Sequence, residues 1–175
     1  MDFATIFSVG NMVALTGWLA MLVGLFAKPV RNWAFLYSGL ILPALLAVAY
    51  VYLLASQMFG PSTGGPAMDF SSLAGVRTLF DNPWVLLAGW THYLAFDLFI
   101  GGWEARDARR RGIPHLLVVP ALVLTFLLGP AGLLLYLAIR RFKPVRECRP
   151  CRPVQQSLPG VPMSEGTHIT RAPDN

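Results

Sequence analysis

The sequence predicts an all-α integral membrane protein, a four-transmembrane-helix bundle followed by a disordered C-terminal tail. Three observations carry this reading. Of 175 residues, 55% are hydrophobic and 13% charged, against roughly 45–50% and about 25% in ordinary soluble domains. Four apolar stretches are each long enough to cross about 30 Å of hydrocarbon, which takes around 20 helical residues. Beyond Arg140 the apolar pattern gives way to Pro, Arg and Ser, a composition that cannot bury a core. A soluble fold with so little charge could not cover its surface, which excludes a typical cytosolic enzyme. A nucleic-acid-binding domain is excluded as well, despite the formal net charge of +5.

The first span covers about 3–27, interrupted only by small polar residues and Asn11. It has no basic leader and ends in Lys28-Pro29-Val30-Arg31 without a small-residue cleavage site, so it reads as a retained helix and not a signal peptide. No transit-peptide signature precedes it. The second span covers about 34–59, with Pro43 inside it. The run Pro61-Ser62-Thr63-Gly64-Gly65-Pro66 marks an exposed loop, and the mildly amphipathic Ser71–Phe80 reads as a short interfacial helix. The third span, about 84–103, starts just after Pro83 and holds His92 and Asp97. The fourth, about 115–139, contains Pro120, Gly129, Pro130 and Gly132, read as kinks packed against neighbours. Residues 1–141 thus form the transmembrane domain and 142–175 the tail.

Orientation follows basic residues in short flanking loops. With four crossings, Lys28, Arg31 and Arg106 to Arg111 lie on one side, and Arg77 with the basic residues between Arg140 and Arg152 on the other. The two sides nearly balance, and orientation stays open.

The third span carries the chemistry. An aspartate near the middle of a span costs about 2.5–3.5 kcal/mol on insertion scales, so it needs a partner or a role. At about 100° per residue, His92, Tyr93, Asp97, Glu104 and Asp107 share one half of the helix, a polar seam facing the bundle interior. The rise from His92 to Asp97 is about 7.5 Å and from Asp97 to Glu104 about 10.5 Å, too far for one ion to be held by all. Tyr93 and Asp97, at i and i+4, can meet directly. This gives two clusters: an intramembrane one of His92, Tyr93 and Asp97, and an interfacial one of Glu104, Asp107 and His115.

Simpler roles stand beside these. His92 and Asp97 can serve interhelical hydrogen bonding, for example with Asn11 or Thr125. Glu104 and Asp107 can pair with neighbouring arginines at the headgroups, and Arg106 to Arg111 can be a headgroup anchor. The tryptophans mostly mark span ends, Trp90 excepted. Cys148 and Cys151 form a CxxC with no second pair to complete a zinc site, and His168 is a lone tail residue. No nucleotide-binding, HExxH or GxSxG motif is present, and no cofactor is expected.

Several runs make the chain resemble the abscisic-acid-deficient-4-like family: Ser8-Val9-Gly10-Asn11 with Gly17-Trp18, then Gly89-Trp90-Thr91-His92-Tyr93-Leu94-Ala95-Phe96-Asp97-Leu98-Phe99-Ile100-Gly101, then His115, Pro120 and Leu124 to Tyr136. The likeness covers about residues 3 to 141, and Thr16 and Ala121 depart from the family's pattern. It implies a four-span membrane protein. Plant members are required for forming neoxanthin from violaxanthin, so the resemblance implies action on, or binding of, a carotenoid or other isoprenoid. Here, without a transit peptide, a bacterial inner membrane is expected. Asn11, Trp90, His92, Tyr93, Asp97, Gly101, Asp107, Pro120 and Tyr136 fall on positions that look like the family's.

The neoxanthin reaction opens an epoxide to an allenic alcohol, with no net redox change. It needs an acid on the epoxide oxygen and a base for a vinylic proton. The expected roles are Asp97 as acid, His92 as base and Tyr93 as oxygen binder. Trp90, Phe96 and Trp103 flank the polyene, and Asn11, Thr125 and Tyr136 complete the substrate contacts. Expected partners are the lipid bilayer, a hydrophobic isoprenoid or carotenoid ligand and other enzymes of pigment synthesis. The rival readings are a non-catalytic carotenoid or lipid binder or scaffold, and a metal-dependent membrane hydrolase built on Glu104, Asp107 and His115.

Overall fold

The computed structural model describes residues 2–59 and 69–142. The tail beyond 142, with Cys148, Cys151 and His168, and the loop centre at 60–68 lie outside the described residues. Among the described residues every regular element is helical.

Helix α1 (Phe3–Phe26) is capped by the Asp2 side chain, which accepts from the Thr5 N–H at 3.2 Å. The chain then turns at Ala27–Val30 into α2 (Arg31–Leu36), which runs on through a π-helical turn (Tyr37–Ile41) into α3 (Leu42–Phe59). The wide turn falls just before Pro43, whose ring would clash with the carbonyl of Gly39 in a regular helix, so the backbone loosens there. Together α2 and α3 form one 29-residue apolar rod. Helix α4 (Leu73–Phe80) starts at Ser72, whose hydroxyl accepts from the Gly75 N–H at 3.0 Å. It realises the short amphipathic helix expected there.

Helix α5 (Pro83–Arg111) opens with proline in its first turn and an Asn82 cap on the Trp84 N–H. It continues about two turns past the expected end at Trp103, because its polar C-terminal half is covered by the two described helices that follow it. Among the described residues, helices α1, α2–α3 and α5 are the three long and apolar enough to cross a membrane.

The expected fourth span is broken into two short helices. Helix α6 (His115–Leu128) has 14 residues and α7 (Pro130–Arg141) has 12, about 21 and 18 Å at 1.5 Å per residue, each short of the hydrocarbon thickness. Between them Gly129 adopts φ 44° and ψ −93°, a conformation that sterics close to residues with a Cβ. Pro130 then starts α7 afresh. A Cβ on Gly132 would run into the backbone of Thr125, so the two helices lie against each other as a hairpin. Contacts to α5 give its direction. Thr125 meets Glu104, Leu127 meets Tyr93, and then Tyr136 and Arg140 return to Asp107. The chain dips in from the end where α5 stops and comes back to the same end. Gly112, at φ 64°, ends α5 and supplies the turn into this hairpin. The kinks expected at Gly129 and Pro130 are therefore one reversal, and the segment expected as a fourth span is two short helices folded as a hairpin beside three helices long enough to cross.

This changes the charge distribution. Lys28, Arg31, Arg106, Arg109, Arg110, Arg111, Arg140 and Arg141 all gather at one end of the bundle, and among the described residues Arg77 alone lies toward the other, near Asp69 and Asp81. The core runs down the centre of the basic half, where Met21, Leu98, Ala105, Val118, Ala121, Leu122 and Tyr136 are shielded from all sides. Gly101 lets the Trp18 ring approach α5, and Trp18 meets Phe126 edge-on at 5.4 Å.

Candidate functional site

The face of α5 turned to the hairpin carries a continuous polar line. Tyr93 donates through its hydroxyl to the Leu127 carbonyl at 3.3 Å. One turn on, the Asp97 carboxyl sits beneath Gly129 at the hairpin tip, so that a Cβ there would lie 2.7 Å from Oδ1. Glu104 is 0% exposed and receives the Thr125 hydroxyl, which lies 3.1 Å from Oε1 and 3.0 Å from Oε2. At the end, Asp107 Oδ2 accepts from Tyr136 at 2.8 Å and from Arg111 Nε at 2.8 Å, and Arg140 Nε pairs with it ionically at 3.3 Å. Arg140 also lies over the Trp103 ring at 5.3 Å, and Trp103 meets Tyr136 edge-on.

These contacts divide the line into a structural half and an open half. Glu104 is engaged by Thr125, and Asp107 by Tyr136 and Arg140, and these contacts tie the hairpin to α5. Thr125 and Tyr136, expected to touch substrate, are both 0% exposed, and their hydroxyls are spent on those two acids. They support the site and do not face a ligand. Asp97 differs. Its Oδ2 is buried and, among the described residues, has no hydrogen-bond partner. Buried polar atoms are almost always paired, so this oxygen is one whose partner the described residues do not supply.

Because the hairpin turns back at the level of Asp97, it leaves the remaining half of the α1–α5 face uncovered. There the Trp90 indole N–H donates to Asn11 Oδ1 at 3.1 Å, joining α5 to α1, while the Asn11 amide donates to the Phe7 carbonyl at 2.8 Å. Trp90 stacks on Tyr93 with centroids 5.4 Å apart and lies 5.5 Å from Phe7. A hollow of about 350 Å³ lined by Phe3, Phe7, Leu86 and Trp90 adjoins this wall. Trp90 is 39% and Phe7 44% exposed. An apolar wall open to the bilayer therefore leads through Trp90 and Tyr93 to Asp97.

Other expected residues lie elsewhere. His92 is exposed on a different face of α5, stacked on Phe96 at 4.5 Å and 5.3 Å from Tyr50 of α3. It does not share a crevice with Asp97, because the two project about 140° apart around the helix. Phe96 goes with His92, and Trp103 packs at the basic end. His115 rests against Phe26 at 5.3 Å, away from Glu104 and Asp107, and among the described residues no group of three or more His, Cys, Asp or Glu is placed to hold a metal ion. The metal cluster of Glu104, Asp107 and His115 is therefore not assembled. The Glu104–Thr125 pair was missed because Glu104 reads as an interfacial charge among arginines. The available signal was its seven-residue spacing from Asp97, which places both on one stripe.

Fold and site define a helical membrane protein with an intramembrane acidic seam closed by a half-depth hairpin. The family model described as ABA DEFICIENT 4-like matches residues 5–136, a range that takes in α5 and α6 whole and ends within α7 at Tyr136. The chain belongs to the ABA DEFICIENT 4-like family. No curated protein and no solved structure gives a significant match.

Proposed function

We infer that the protein takes a carotenoid or related oxygenated isoprenoid from the bilayer and isomerises its end group at Asp97. The observation that carries this reading is the unpartnered Asp97 Oδ2 beneath the hairpin tip, beside the Tyr93 hydroxyl and below an aromatic wall open to lipid. The polyene lies against Trp90 and Phe7, and the oxygenated end reaches Tyr93 and Asp97. In an epoxide-to-allene rearrangement, Asp97 as the carboxylic acid gives its proton to the epoxide oxygen as the C–O bond opens. The carboxylate so formed takes the vinylic proton as the allene forms. The product is an isomer of the substrate, Asp97 ends as it began, and no oxidant or metal is consumed. His92 has no part in this sequence, since it faces away.

The basic end of the bundle lies in the cytoplasm by the positive-inside rule, so the open half of the seam belongs to the opposite leaflet. The test is to express the chain in cells that make epoxidised carotenoids, extract purified protein and cells, and identify the pigments. A new isomer with the natural chain and none with Asp97→Asn supports the assignment. Pigment bound but chemically unchanged by both chains would make the protein a carrier and remove the isomerase reading.

A further inference from the structure

We propose that the groove between α2–α3 and α5 binds an anionic phospholipid of the surrounding bilayer, with its phosphate between Arg106 and Arg109 and one acyl chain running along Leu40, Ala47 and Phe96. This groove is on a different face of α5 from Asp97, so the proposal stands independently of the isomerase reading.

Two hollows make up the groove. One, of about 330 Å³, is lined by Phe35, Leu40, Phe99, Arg106 and Arg109 among others. The next, of about 300 Å³, is lined by Leu40, Ala44, Ala47, Phe96 and Phe99 among others. They share Leu40 and Phe99 and form one trough, cationic at the end of the bundle and wholly apolar toward the middle. The sequence explains the trough. Gly39 of the π turn lies against Gly102 of α5, which brings the backbones together, and Ala44, Ala47 and Ala95 keep the floor low. The walls face the membrane, with Leu40 55% and Phe96 56% exposed.

The charges select the occupant. Arg106 donates to the Phe35 carbonyl at 3.3 Å and Arg109 lies 5.9 Å from the Phe35 ring. Among the described residues neither has a carboxylate in ion-pair contact, and the nearby Asp107 is taken by Arg111 and Arg140. Two cations beside an apolar trough at headgroup depth fit one phosphate diester. A soluble anion would leave the apolar trough uncovered, whereas a lipid fills both parts. The basic end also faces the leaflet richer in anionic lipid under the positive-inside rule.

Native mass spectrometry of the delipidated full chain in detergent, titrated with phosphatidylglycerol or phosphatidylcholine, tests this. Phosphatidylglycerol is expected to bind roughly tenfold more tightly. Arg106→Gln with Arg109→Gln removes that preference. Ala47→Trp, which fills the exposed floor, weakens both lipids, while Arg110→Gln, outside the trough, changes nothing. If loss of Arg106 disturbs the α2 contact and the fold, Arg109→Gln and Ala47→Trp alone carry the test. Equal binding of the two lipids by the natural chain overturns the proposal. So does an equal loss in Arg110→Gln, which would mean diffuse attraction, or displacement of the lipid by equimolar glycerophosphate, which would mean a site for soluble phosphate.

Discussion

Tyr136, near the end of α7, donates to Asp107, near the end of α5, at 2.8 Å. That one bond fixes where the last apolar segment goes. A helix crossing from His115 to Arg141 would carry Tyr136 to the far side of the membrane, about 30 Å from Asp107. The reversal at Gly129 instead folds Tyr136 back, and Arg140 and Arg111 join it on the same carboxylate oxygen. The acids of α5 are thus matched one by one to the hairpin, except for Asp97 at its tip.

Cysteine accessibility checks the number of crossings. With Cys148 and Cys151 replaced by serine, single cysteines at Arg110→Cys and Arg141→Cys are expected to react with an impermeant maleimide from the same face of sealed vesicles. Asp81→Cys should react from the other. Labelling of Arg141→Cys together with Asp81→Cys would restore a fourth crossing and dismantle the hairpin.

Gly132 tests the hairpin's packing. A side chain at this position meets the Thr125 backbone, which cannot retreat as a flexible side chain would. Gly132→Val is expected to lower stability by about 1–3 kcal/mol, read as a fall in the thermal midpoint of the detergent-solubilised protein. An unchanged midpoint would mean that α6 and α7 are not in contact there.

Much of this architecture is legible in the sequence. Apolar runs placed the first two crossings to within a few residues of Phe3–Phe26 and Arg31–Phe59, and Ser72 with the amphipathic stretch after it marked α4. The hairpin was not legible, because hydropathy records that a segment is apolar and not whether it doubles back. Gly129-Pro130 fits a kink as well as a reversal, and what decides between them is the pairing of Thr125 with Glu104 and Tyr136 with Asp107, which is tertiary. The same reading balanced the flanking charges, since it sent Arg140 and Arg141 to the side opposite Arg106 to Arg111, whereas they lie at one end of the bundle. In the site, the helical projection put Tyr93, Asp97, Glu104 and Asp107 on one side of α5, and the hairpin packs along that side. The half-turn shared by His92 and Asp97 on a helical projection was too coarse to show that α3 receives one and the hairpin the other.

The Glu104–Thr125 pair predicts a particular pattern of stability. Thr125→Val keeps the volume but strips Glu104 of its hydroxyl partner and leaves a buried acid unsatisfied, at about 1–3 kcal/mol. Glu104→Leu alone strands the Thr125 hydroxyl less severely, since that group also reaches the Ala121 carbonyl at 3.0 Å. The double variant is expected to recover most of the loss, because removing both partners removes the penalty. Denaturant unfolding of the three chains gives the coupling, and strictly additive losses would show that the two side chains do not depend on each other.

The last prediction separates the two candidate proton-transfer groups. Asp97 lies at the hairpin tip with one oxygen unpaired, whereas His92 stacks on Phe96 and approaches Tyr50 on a face that the hairpin never reaches. If the chemistry occurs at the seam, Asp97→Asn abolishes formation of the isomer while pigment still binds, since the amide preserves shape but cannot donate and reclaim a proton. Tyr93→Phe loses the hydroxyl beside the oxygenated end, which the Leu127 carbonyl orients at 3.3 Å, and is expected to fall by about tenfold in turnover, on the order of one hydrogen bond. His92→Ala should retain turnover within about threefold of the natural chain. Product analysis after fixed incubation of each variant reads all three. Loss of product in His92→Ala with Asp97→Asn unaffected would move the reacting centre to the α3 side of α5, where Tyr50 and Phe96 would become its walls.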